Sequence, residues 1–212
     1  MIITYQGVEF FKVQFGDIIL AFNPISKESK FKTTRFFSDI ALVSVNDKDF
    51  NGVENLSYNG KDPFVISGPG EYEVKEVVIK GFPSKSVYGG KDRINTIYSV
   101  HLEGMNICFL GALSDENLSK EVTEDLGDVD ILFVPIGGDG VLNPAKAGKV
   151  AVEIEPRIII PMYFGDIGEK DALKKFLKET GQEDTKAQDK LTLKKKDLDG
   201  KEGEVMILSA QG

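Results

Sequence analysis

Residues 43–52 read VSVNDKDFNG, and within six residues Asn46, Asp47, Asp49 and Asn51 present four oxygen-bearing side chains. Carboxylates and amides at this density can hold a hard cation such as Ca²⁺, Mg²⁺ or Mn²⁺, can move protons, or can cap a loop by accepting from backbone N–H groups. Asp47, Asp49, Asn51 and Gly52 fit D-x-[DN]-x-[DN]-G, the front of a calcium loop. The match stops there. The position that should supply a bidentate glutamate is Tyr58, and the flanking residues have the composition of strands rather than paired helices. Loop capping is therefore the first reading of these side chains, with a hard-cation or acid–base site as its rival.

Other chemistries are quickly bounded. His101 is the only histidine, so no Ser–His–Asp arrangement has an alternative base; it alternates with Val100 and Leu102 in a strand and reads as a surface or interface residue. The lone Cys108 rules out an internal disulfide, suits a reducing compartment, and sits in the apolar stretch NICFLG, where core packing outweighs a nucleophilic role. Glu71 and Glu73 share a face in GPGEYEV, beside a turn, and read as structural. Gly137, Gly138, Asp139 and Gly140 precede a helix but lack the lysine of a phosphate loop.

The elements that must position these groups come from periodicity. IITYQG, FFKVQF, DIILAFN, IALVSVN and FVISG are short apolar runs set apart by turn residues, with Gly16-Asp17 a two-residue hairpin. A polar stretch, residues 83–95, is expected as a loop. INTIYSVHLEG and MNICFLG form a hairpin about Glu103-Gly104. Ser114 is expected to cap a helix through 115–125, and Asn143-Pro144 to open one over 144–154. DVDILFVPIGG and RIIIPMYF are fully apolar, as interior strands are. Ala172, Leu173, Phe176 and Leu177 mark an amphipathic helix closed by Gly181, and LTLKKKDL and EVMILSA are the last strand candidates. The expectation is an α/β fold of one domain over residues 1–212, with two sheets packed face to face and helices outside.

The chain has 212 residues, 41% hydrophobic and 28% charged, with a net charge of −8. That balance argues against nucleic acid or an anionic membrane as partner, since both need clustered Lys and Arg. No apolar run approaches the ~18 residues of a membrane span, and the opening MIITYQGVEFF has no signal-peptide pattern, so a cytoplasmic location is expected. The partner is otherwise left open, with a homo-oligomer one possibility.

In order and spacing, ITYQGVEFFKV, ILAFNP, IALVSVNDKDFNGVEN, ISGPGEYEV, INTIYSVHLEGMNICFLGALS, DVDILFVPIGG and EPRIIIPMYFG resemble the metallo-β-lactamase superfamily, specifically its small metal-dependent hydrolase-like branch. The resemblance implies a four-layer αββα sandwich of two mixed sheets with outer helices, and a zinc site held by histidines. Residue by residue, the family's T-H-x-H-x-D-H loop falls on Ser44, with Val45, Asp47 and Phe50 at the histidine positions and Asp49 at the aspartate. An opening G-H falls on Gly7-Val8, and D-P on Asn23-Pro24. The G-D that carries the bridging aspartate falls on Gly111-Ala112, and the final histidine on Tyr163. A further ligand histidine belongs within GFPSKSVYGG, which has none. The resemblance therefore implies a degenerate member, a pseudoenzyme with its zinc site lost and no cofactor, serving in binding or as a scaffold. The alternative is a hydrolase with a rebuilt site drawn from Asp47, Asp49, Asn23 and Tyr163.

Overall fold

A computed structural model describes residues 1–211. The first sheet holds β1 (Ile2–Tyr5), β2 (Phe11–Phe15), β3 (Ile18–Phe22), β4 (Ile40–Leu42), β5 (Phe64–Ile66) and β12 (Leu191–Thr192), in the order β12-β1-β2-β3-β4-β5. The second holds β6 (Gly70–Val74), β7 (Val77–Ser86), β8 (Arg93–Leu102), β9 (Met105–Phe109), β10 (Ile131–Pro135), β11 (Ile158–Met162) and β13 (Glu204–Val205), in the order β13-β11-β10-β9-β8-β7-β6. Both sheets are mixed. In the first, β3, β4 and β5 run parallel; in the second, β9, β10, β11 and β13 do.

The sheets pack face to face over Phe11, Phe22, Phe109 and Phe133, with Ile40, Ile107 and Ile160 among the side chains between them. Tyr98 ties the layers together, its buried hydroxyl donating to the carbonyls of Val43 at 2.8 Å and Ile66 at 3.1 Å. Helices α1 (Lys120–Leu126), α2 (Pro144–Ile154) and α3 (Ala172–Glu179) cover the outer face of the second sheet through Val122, Leu126, Ala147, Val150, Phe176 and Leu177. The outer face of the first sheet is covered by irregular chain and a 3₁₀ turn, Val53–Asn55, with Ile25, Phe31, Phe36 and Leu56 packed on Phe10, Ala21 and Ala41.

Most turn chemistry acts as the residues predict. Gly16-Asp17 joins β2 to β3, Glu103-Gly104 joins β8 to β9, and the Asn143 side chain accepts from the Lys146 N–H to cap α2. Three local expectations are corrected. Ser114 caps nothing: its hydroxyl donates to the Lys85 carbonyl and accepts from the Val87 N–H, and α1 starts instead after Ser119, which accepts from the Val122 N–H. Asp115 holds the intervening chain in a turn by accepting from Asn117. Second, the stretch 83–95 is mostly strand, since β7 runs to Ser86 and β8 begins at Arg93. Pro83 is tolerated because its partner Thr96 turns its N–H away, to the Ser44 carbonyl in the loop after β4, so the missing donor falls at a non-hydrogen-bonded pair. Third, LTLKKKDL gives two strand residues and then a 3₁₀ turn, Lys195–Leu198.

Candidate functional site

The parallel strands of both sheets end at one edge of the sandwich, where a ligand site is commonest in an α/β sheet. Beyond β3 comes Asn23, beyond β4 the 43–52 loop, beyond β9 Gly111-Ala112, and beyond β11 Tyr163. Val8, in the loop between β1 and β2, reaches the same edge, where its carbonyl accepts from the Tyr163 N–H at 2.7 Å. Val8, Val45, Phe50, Ala112 and Tyr163 pack into one apolar cluster with Ile25, Leu56, Tyr88 and Val141. Phe50 and Ala112 are fully buried, and Phe50 stands edge-on to Tyr88 with ring centroids 4.6 Å apart.

The backbone is strained at this edge. Val8, Asn23 and Tyr163 adopt φ values of 58°, 43° and 59°, the left-handed region where a β-branched residue is costly. Gly111 must be glycine for space as well as for its φ of 58°: a Cβ there would lie 2.4 Å from the Ser44 Cβ and 2.6 Å from the Asn95 Oδ1.

Above the cluster lies an open cleft of about 670 Å³, lined in part by Asp47, Asp49, Tyr88, Arg93, Asp139 and Tyr163. Asp49 is buried and joins two loops: its Oδ1 accepts from the Ser29 hydroxyl and its Oδ2 from the Tyr88 hydroxyl at 2.7 Å. Asp47 pairs with Arg93 at 2.9 Å through Oδ2, and its Oδ1 accepts from the Asp49 N–H at 3.1 Å. Burial raises the Tyr88 phenol above its ordinary pKa, reinforced by its bond to Asp49. Burial likewise pushes the Tyr163 phenol up to about 12, with the Glu9 and Asp49 charges adding to it. Both phenols are hydrogen-bond donors at neutral pH.

The sequence candidates are thus divided. Asp47, Asp49 and Tyr163 share the cleft, whereas Asn23 does not reach it and is corrected to a structural residue. Asn23 is fully buried; its Nδ2 donates to Glu9 Oε2 at 2.7 Å and to Ser44 Oγ at 2.8 Å, and its Oδ1 accepts from the Ser44 N–H at 2.7 Å. Sequence reading missed Glu9, whose signal is a single acid inside the apolar run Val8, Phe10, Phe11. Glu9 is 0% exposed, its Oε1 has no partner, and burial lifts its carboxyl to about 8 against the opposing bond from Asn23. Tyr88 and Arg93 were also missed, because both lie in what composition presents as an undifferentiated polar stretch.

A model of a β-lactamase superfamily domain matches residues 2–163. The chain belongs to the metallo-β-lactamase superfamily. A Thermotoga maritima protein described as a Zn-dependent hydrolase of that superfamily superposes with a TM-score of 0.78 at 26% identity, over 98% of this chain and 97% of its own. A UPF0173 protein of Pyrococcus furiosus is 41% identical over 59 residues, 28% of each chain. A UPF0173 metal-dependent hydrolase of the same organism is 26% identical over 155 residues, 70% of this chain and 62% of the relative. The chain thus spans less than two thirds of these two relatives' own lengths.

The superfamily and these names point to a metal, and the donors in this chain can be tested against one. Among the described residues no three His, Cys, Asp or Glu side chains converge where they could share an ion. Val8, Val45, Phe50 and Ala112 carry no side-chain donor atom, and each oxygen of Asp47 and Asp49 already accepts from a protein donor. A catalytic zinc needs about three protein ligands before it can acidify a bound water. This donor set does not fit it.

Proposed function

We propose that this member of the metallo-β-lactamase superfamily is a binding protein that works without the superfamily's zinc chemistry, its ligand taken up in the cleft over the apolar cluster. The observation that carries this reading is the packing of Val8, Val45, Phe50, Ala112 and Tyr163 against one another at the positions that resemble metal ligands. Unmetallated ligands in that space would be polar groups without partners, which costs free energy; apolar side chains remove the cost and fill the volume. The strained backbone at Val8 and Tyr163 is the second support, since strain of about 1–3 kcal/mol per residue persists where the surroundings enforce a geometry. Elemental analysis of protein purified without chelators tests the reading. Zinc well below one ion per chain is expected; zinc near one per chain that resists mild chelation, with hydrolytic turnover, overturns it.

The second reading keeps the hydrolase activity that the relatives' names carry, with a rebuilt site in the same cleft. Its support is that Asp47, Asp49 and Tyr163 line one cleft together. It requires the carboxylates to exchange their present partners, Arg93, Ser29 and Tyr88, for a hard cation. It predicts that Mn²⁺ or Mg²⁺ raises the melting temperature, that Asp49→Ala abolishes the gain, and that phosphodiesters or lactones are turned over. Absence of both the shift and the turnover removes it.

A further inference from the structure

The cleft is lined by four basic and four acidic side chains, in a chain whose net charge is −8. Lys30, Lys48, Lys91 and Arg93 all line it. Among the described residues none of the three lysines lies within ion-pair distance of a carboxylate. The Lys30 ammonium stands 5.0 Å from the centre of its neighbour Phe31's ring. Arg93 gives one Nη to Asp47 and the other to the Asn46 carbonyl at 2.8 Å, while its Nε is buried with no acceptor. Two of the cleft's four acids are ion-paired, Asp47 with Arg93 and Asp92 with Lys85 at 3.4 Å, while Asp49 accepts only from two neutral hydroxyls. Among the described residues, Asp49 and Asp139 have no cation within ion-pair distance.

With Asp47 and Asp92 cancelled by their ion pairs, the cleft sets three unpaired ammonium groups against the two carboxylates of Asp49 and Asp139, a balance that favours negative charge, because paired charges cancel at a distance while the lysines do not. Several unpaired ammonium groups lining one cleft suit a multiply charged tetrahedral oxyanion better than a single planar carboxylate, which a forked guanidinium would hold. The volume, about 670 Å³, is that of a site for a small organic molecule.

We propose that the cleft binds a small phosphorylated molecule, with Lys30, Lys48 and Lys91 at its phosphate oxygens and the floor of Tyr88 and Tyr163 under the remainder. This rests on reading the cleft as a binding site and names the ligand class for it. The experiment is calorimetric titration of the EDTA-treated full chain with pyrophosphate, and with citrate as a carboxylate probe, at matched ionic strength. Pyrophosphate should bind one site per chain with a Kd at or below about 1 mM. Lys48 and Lys91 are exposed, so Lys48→Gln/Lys91→Gln should melt like the parent yet bind pyrophosphate about tenfold more weakly. No saturable pyrophosphate binding, equal or tighter binding of citrate, or an unchanged affinity in the double variant overturns the proposal. The two readings fail separately. Zinc-bearing, hydrolytic protein that still binds pyrophosphate after chelation sinks the zinc-free reading alone, and zinc-free protein that ignores pyrophosphate sinks only the phosphate assignment.

Discussion

Replacing Glu9 with glutamine should make the protein less sensitive to alkali, and the size of the effect follows from burial. In the unfolded chain a glutamate carboxyl titrates near 4.5, and in the folded chain burial lifts Glu9 to about 8. Between those values the folded state holds a proton that the unfolded state has released, so this residue's contribution to stability falls as pH rises through the window and levels off above about 8. At about 1.4 kcal/mol per pH unit, Glu9 alone costs about 3–4 kcal/mol more at pH 8 than at pH 5. Glutamine is uncharged and can still accept from Asn23 Nδ2. The assay is urea denaturation of both proteins, followed by circular dichroism at intervals from pH 5 to pH 8. Subtracting one stability curve from the other cancels every group they share. The difference should move in favour of the variant by about 3–4 kcal/mol across the range, equivalent to roughly 10 °C in Tm for a chain of this size. Parallel curves would refute the reasoning, since they would mean that Glu9 is solvated or charged at neutral pH.

Three further outcomes follow from the packing. Phe50→Ala should cost about 3–5 kcal/mol in denaturant unfolding, because a fully buried ring against Tyr88 and its cluster leaves a cavity that strained backbone cannot close. Gly111→Ala should be far more damaging than Gly90→Ala in the same assay. Both glycines have positive φ, at 58° and 71°, but a Cβ at 111 would strike Ser44 and Asn95 while one at 90 meets open space, so Gly90→Ala should cost only about 1–2 kcal/mol. Cys108 should resist thiol reagents until the chain unfolds, since it is buried in β9 and burial raises its pKa far above neutrality.

What the sequence by itself determined is local. Alternation of apolar residues placed the two sets of strands, because a strand buried on one or both faces must show that pattern whatever lies opposite it. The Gly16-Asp17 turn and the Asn143-Pro144 cap were legible for the same reason, each satisfying hydrogen bonds within a few residues. The order of those pieces was enough to mark the superfamily, which the match over residues 2–163 bears out. Where a residue's partner is distant, composition was silent or misleading. Ser114 has the chemistry of a cap but serves the backbone at Lys85 and Val87, and Ser119 caps the helix instead.

Only the tertiary structure decided what the cleft is. That Val8, Val45, Phe50, Ala112 and Tyr163 meet, that Asp49 is held by Ser29 and Tyr88, and that Asn23 serves Glu9 and Ser44 are contacts between residues far apart in the chain. Periodicity reports which face of an element is buried; it does not report which distant side chain lies against it. Glu9 makes the distinction plain. Its identity is visible in the sequence, but the desolvation that keeps a proton on it exists only when the folded chain has closed over it.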